Sequence, residues 1–358
     1  MPGTATVRPP EAIRVLSCPG ASSDWINQTV TMLIESLPAH VEVRTFSWKR
    51  ALLSRYDVLH VHWPEYLMRS RTGGKARVKR ALFALLMART VLLRTPTVWT
   101  VHNVRPHEPG PPIERFLFDR WSRTVTRRVF MYEAALPSPA CARDVCIPRG
   151  DYEPVFGSLR ERSRSVPVPV GRLLLFGLLR PYKGIEQLVD AVREAGDDGM
   201  ELLVIGGAMR ADKAYARQLQ LAGDAKNVTV KIEVLSDEQL AEVILGSTLV
   251  VLPYRNMYNS GAALLSLTLR RPIMVPDSPT MRELRQEVGE HWVFLYNGEL
   301  TPDDLREALG SAAVPRAGGP DLTRRDWARV GQAYAALYDS IARRGHAARP
   351  AARLTARI

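Results

Sequence analysis

Short apolar runs and helically spaced segments alternate along this chain in two successive series. In the first, residues 12–18 (AIRVLSC), 41–46, 57–62, 96–102 and 128–131 read as strands, and residues 24–36, 77–93 and 113–127 read as helices. Such alternation predicts a parallel sheet with helices on both faces. Residues 151–170, rich in Ser and Arg and holding four Pro or Gly positions, break the pattern and are expected to form a linker. The alternation then restarts, with strands expected at 172–176, 201–205, 228–231, 248–253 and 272–275 and helices at 184–195, 214–221, 236–245 and 262–269. With 358 residues, the chain has room for two domains of roughly 150 residues each. The expected architecture is α/β: two doubly wound domains meeting at a cleft near residue 165. In such sheets ligands sit beyond the carboxyl ends of the strands, so the residues after each strand carry the functional argument.

Composition narrows the class. The longest apolar stretches, residues 81–88 and 248–253, fall far short of the roughly 20 residues that span a bilayer. Residues 1–10 are Pro-rich without an apolar core, so no secretory signal is read there. Three cysteines (Cys18, Cys141, Cys146) make neither a disulfide framework nor a zinc knuckle. A cytoplasmic protein without a structural metal is expected. The charge is strongly basic, 49 Lys+Arg against 37 Asp+Glu, and only seven of the cations are lysine. Between Glu65 and Glu108 nine cations and no acid occur, and residues 343–358 add five arginines. An anionic partner follows: nucleic acid, a phosphate ligand or a membrane surface.

Two strand-to-helix turns hold the chemistry of the second series. Gly177-Leu-Leu-Arg180-Pro-Tyr-Lys183-Gly184 has glycines for tight turns and two cations at a helix start, where backbone N–H groups already favour anions. A diphosphate suits it; a surface turn with solvated cations is the plainer alternative. In Leu252-Pro-Tyr254-Arg-Asn-Met-Tyr-Asn259-Ser260-Gly261, Asn259 and Ser260 stand at N-cap positions and Gly261 admits close approach to the backbone; an ordinary capped helix explains it equally. In the first series, His60-Val-His62-Trp-Pro-Glu65 and Thr100-Val-His102-Asn-Val-Arg-Pro-His107-Glu108 both start at strand ends. A His–Glu pair suits general base catalysis. His60-x-His62 as a metal pair lacks companion ligands. Because strand residues alternate between faces, one of these two histidines is expected to belong to the core.

Phe176-Gly-Leu-Leu-Arg-Pro-Tyr-Lys-Gly-Ile-Glu-Gln-Leu-Val-Asp-Ala191 resembles the donor-domain signature of GT-B glycosyltransferases similar to family 4. Leu203-Val-Ile-Gly-Gly207, Asn227-Val-Thr-Val, Leu252-Pro-Tyr254 and Arg271-Pro-Ile-Met-Val275 follow in the same order. The N-terminal segments resemble, more weakly, those of bacterial exopolysaccharide and glycolipid mannosyltransferases. The resemblance implies residues 1–160 as an acceptor domain, 161–325 as a nucleotide-sugar domain, 326–342 as a helix crossing back to the first, and 343–358 as a disordered basic tail. It implies a donor held by Gly177, Arg180, Lys183, Tyr254, Asn259, Ser260, Gly261 and Glu283, with GDP-mannose the first expectation. His102 would face the donor sugar, and Glu65 or Glu108 would lie nearest the acceptor, a glycan or lipid-linked sugar. No metal or other cofactor is implied, an anionic membrane surface is a further expected partner, and nucleic acid is not. One feature departs from the pattern: the family's two glutamates seven residues apart are missing, since residues 257–266 hold no acid. A basic nucleic-acid-binding protein and a GT-B domain that binds without turnover are the alternatives.

Overall fold

A computed structural model describes residues 12–19, 28–70, 72–102, 110–162, 170–196, 198–209, 212–222, 226–255 and 257–347, the side chains of 222 and 343–347 excepted. The chain divides into two units. One comprises residues 1–132, 136–150 and 325–358; the other comprises 133–135 and 151–324.

The first unit carries β1 (Ile13–Cys18), β2 (Val41–Thr45), β3 (Val58–Val61), β4 (Thr97–Thr100), β5 (Arg127–Phe130) and β6 (Asp144–Cys146), all parallel, in the order β2-β1-β3-β4-β5-β6. The second carries β7 (Arg172–Phe176), β8 (Glu201–Gly206), β9 (Val228–Ile232), β10 (Leu249–Val251), β11 (Ile273–Pro276) and β12 (Val293–Tyr296), also parallel, in the order β12-β11-β10-β7-β8-β9. Central strands such as β3 (VLHV), β4 (TVWT) and β10 (LVV) are buried at every position. That is the pattern of a sheet covered on both faces, and it explains why these segments read as continuous apolar runs rather than alternating ones. In the second unit Leu173, Leu175, Val204, Leu249, Val251 and Met274 pack with the apolar face of helix Ile185–Ala195 into one core. The strand orders reverse direction between β1 and β3 and between β7 and β10. Such switch points leave a crevice at the carboxyl edge of a doubly wound sheet.

Residues 151–162 are not a linker. Glu153–Arg162 is a helix whose Phe156 and Leu159 are buried, and Arg160 holds both Glu153 at 2.6 Å and the carbonyl of Thr268 at 2.8 Å. Its Pro154 sits in the first turn, where no amide donor is lost, so the proline that suggested a break opens a helix instead. The boundary accordingly falls after Gly150 rather than at 160. The terminal helix, Trp327–Ala347, belongs to the first unit, where it packs on helix Gln28–Ser36, β1 and β3. Strands β6 and β12 and helices Trp48–Leu53, Pro279–Val288 and Pro302–Ala313 were not anticipated. Residues 348–358 of the basic tail lie outside the described residues. Among the described residues no helix is long and apolar enough to cross a membrane.

Candidate active site

In the second unit, the turns after β7 and β10 are those at the switch point, and they touch. The amide of Arg255 donates to the carbonyl of Tyr182 at 3.0 Å, and a Cβ on Gly184 would lie 2.2 Å from the carbonyl oxygen of Pro253. Gly184 has φ +63°, which a residue with a side chain adopts at a cost, so this glycine is required twice over. Gly177 has φ +93°, and a Cβ there would meet the Lys183 ammonium at 3.0 Å.

Lys183 is the central group of this site. It is 5% exposed, donates to the carbonyl of Phe176 at 3.1 Å, and lies 5.2 Å from the ring centre of Tyr254. Burial, with Arg180 adding to it, pulls its ammonium down to about 7. Arg180 pairs with Asp212 at 3.5 Å and touches the sulfur of Met209. Tyr254 is buried, and that burial pushes its hydroxyl up. Ser260 caps helix Gly261–Thr268 by accepting from the amide of Ala263 at 3.2 Å. The amides ahead of it are the free N–H groups every helix start presents. The Asn259 side-chain oxygen is buried without a partner. Gly177, Lys183, Tyr254, Ser260 and Gly261 thus converge on one edge of the sheet. Glu283 does not present a free carboxylate: its two oxygens accept from the amides of Glu133 at 3.0 Å and Ala134 at 2.8 Å.

In the first unit, β3 delivers His62, Trp63 and Glu65, and β4 delivers His102. His60 and His62 are both buried, and their ring centres stand 4.1 Å apart. The expectation that they point to opposite faces fails, because residues two apart on a strand share a face. His60 is tied off: its Nδ1 meets the hydroxyl of Tyr338 and its Nε2 that of Thr100, both at 2.8 Å, and Thr100 meets Tyr334 at 3.0 Å. His62 Nδ1 faces His102 Nε2 at 3.1 Å, and Trp63 stacks on His102 at 4.1 Å. Burial holds all three imidazoles below the usual range, His62 at about 3, so all are neutral near pH 7.

Glu65 is pushed up by burial; its own amide and Arg69 oppose the shift, and Glu114 adds to it. Glu114, 4% exposed, was not anticipated. It takes two bonds from Arg69, Nε at 2.7 Å and the terminal nitrogen at 2.6 Å, while its second oxygen has no partner. The acid-free run in which Arg69 stands hid its ion pair, because the partner lies 45 residues away. Glu108 lies outside the described residues.

Over 324 residues, 90% of this chain and 91% of the other, the sequence is 40% identical to the GDP-mannose:glycolipid 4-beta-D-mannosyltransferase of Xanthomonas campestris pv. campestris. Its fold is similar to Anabaena HepE in complex with UDP and glucose, with a TM-score of 0.61 at 14% identity over 92% of this chain and 100% of that one. It is also similar to sucrose-phosphate synthase from Thermosynechococcus elongatus, with a TM-score of 0.56 at 14% identity over 94% and 98%. The chain is a GT-B glycosyltransferase. No protein-family model matches it. The two six-stranded parallel sheets are those of the GT-B fold.

Proposed function

We propose that this glycosyltransferase moves mannose from GDP-mannose to a lipid-linked glycan, forming a β-linkage. The reading rests on the 40% identity to a GDP-mannose:glycolipid 4-beta-D-mannosyltransferase across 324 residues. Mannose is α-linked in GDP-mannose, so a β product requires inversion in a single displacement. That chemistry needs two things from the protein: charge to receive the departing diphosphate, and a base to take the proton of the attacking hydroxyl. Lys183, Arg180 and the N–H groups at Gly261 serve the first need. Binding pulls Arg180 from Asp212 to the diphosphate.

Glu65 serves the second. Its carboxyl is raised above the usual glutamate range by burial, which makes it a stronger base than a solvated glutamate. His102 has its Nε2 turned to His62 and is a binding group rather than the base. No metal step is invoked. The acceptor's lipid places the enzyme at the cytoplasmic face of an anionic membrane, to which the first unit attaches peripherally.

Incubation of the purified protein with radiolabelled GDP-mannose and glycolipid acceptors, with the product's anomeric configuration read by NMR, tests the proposal. Transfer giving a β-mannoside is expected. Transfer from another nucleotide sugar alone, or an α product, overturns it.

A further inference from the structure

The histidines at the end of β3 are fixed with unusual completeness. His60 is held from both ring nitrogens, His62 packs on its ring at 4.1 Å, and Trp63 stacks on His102 with 20° between planes. Within this array one fully buried nitrogen has no partner. His62 Nδ1 is engaged by His102, but His62 Nε2 is buried without any hydrogen-bond partner. His62 itself is 3% exposed and helps to line a recess of about 10 Å³ shared with Trp63, Glu65, Trp99, His102 and Phe118.

We infer that His62 Nε2 receives a hydroxyl group of a sugar substrate, so that His62, not only His102, belongs to the binding machinery. The inference rests on the functional reading above. Three observations select the ligand's chemistry. The imidazole is neutral, and a neutral ring offers Nε2 either as donor or as acceptor, depending on which way the proton between the two histidines lies. A hydroxyl satisfies either tautomer. A phosphate or carboxylate would find Glu65 and no cation among the lining residues. The recess has room for one water-sized group, which fits a single hydroxyl rather than a ring. A rigid array with one unsatisfied atom is the arrangement that a preorganised contact requires.

Two variants of the full chain test this. His62→Asn keeps an amide near Nδ1 to meet His102 and leaves nothing at Nε2; His62→Gln carries its amide out to the Nε2 position. GDP-mannose and the glycolipid acceptor are varied separately, and thermal unfolding is recorded alongside. His62→Asn is expected to unfold like the parent and to raise one KM by roughly tenfold or more, with His62→Gln restoring most of the loss. A rise in acceptor KM assigns the hydroxyl to the acceptor; a rise in donor KM assigns it to the donor sugar; both support the inference. Unchanged KM and kcat in folded His62→Asn mean that a buried water alone satisfies Nε2, and overturn it. If His62→Asn does not fold, the comparison passes to His62→Gln. Parent-like kinetics there support the contact, and a tenfold loss in kcat with both KM values unchanged overturns it. Absence of transfer by the parent protein overturns the functional reading and this inference with it.

Discussion

A lysine placed where water cannot reach it acts as a charge held in reserve, and Lys183 shows what that does to stability and to donor binding. Its value when folded, about 7, lies below the 10.5 of the unfolded chain. Below pH 7 both states hold the proton and the full penalty of burying the cation weighs on the fold. Between pH 7 and 10.5 the unfolded chain holds a proton that the folded one lacks, so stability rises with pH and the penalty is gone above that window. Urea denaturation is expected to show a gain of at most about 2.7 kcal/mol from about pH 7.5 to about pH 9.5, and Lys183→Met is expected to flatten that gain. An equal rise in the variant would place the effect elsewhere. The same proton governs the ligand. Donor affinity measured by calorimetry is expected to fall as pH rises through about 7, and Lys183→Met to weaken it by roughly 10- to 150-fold at neutral pH, the loss of a charge-assisted hydrogen bond. Lys183 was legible from its place in a Gly-flanked turn after a strand. Its burial was not, because the ring of Tyr254 that covers it comes from a turn some seventy positions later.

Elements were legible where one periodicity dominated and failed where a residue's local meaning depended on its neighbours. Pro154 suggested a break and instead starts a helix, and the apolar run at residues 81–88 is buried only in part. Helix Gly73–Leu92 buries only Ala76, Phe83, Leu86 and Thr90, since one side alone meets the rest of the unit. Val78, Ala81, Leu85, Ala88 and Leu92 are exposed, and their spacing of three and four places them on one face. Leu92 is 80% exposed, and on the neighbouring helix Pro112–Thr124 Phe116 is 64% exposed. Lys75, Arg77 and Arg115 are exposed on these two helices. Apolar side chains beside cations are the makeup of a surface that rests on an anionic leaflet, each cation contributing about 1 kcal/mol. Sedimentation with vesicles is expected to show binding to anionic lipid at low salt, weaker binding at high salt, and loss in the double variant Leu85→Glu, Leu92→Glu. Equal binding to neutral vesicles, or none to either, removes the membrane from the proposal.

At the scale of the whole chain, two parallel sheets could be read from two runs of alternation, and with them which turns matter. The strand order that creates a switch point could not, because order is set by crossovers that leave no mark on local periodicity. The switch point in the second unit selects the turns after β7 and β10, and these present cations and helix starts rather than carboxylates. Among the described residues no group of three or more His, Cys, Asp or Glu is placed to hold a metal ion. A strand-end pair of the Asp-x-Asp kind, which would bring a divalent cation to a diphosphate, does not follow β7 or β10 in the sequence. In the proposed reaction the leaving group's charge falls to Lys183, to backbone N–H groups and to Arg180 once binding draws it from Asp212. Turnover of GDP-mannose is accordingly expected to persist in excess EDTA and to change little on adding Mg²⁺ or Mn²⁺. Complete loss in EDTA, restored by either ion, would mean that the two turns do not suffice for the departing diphosphate. Partial loss of activity in Lys183→Met that Mg²⁺ does not repair is the companion result. It would show that the lysine supplies a charge in a fixed place, which a mobile cation cannot replace.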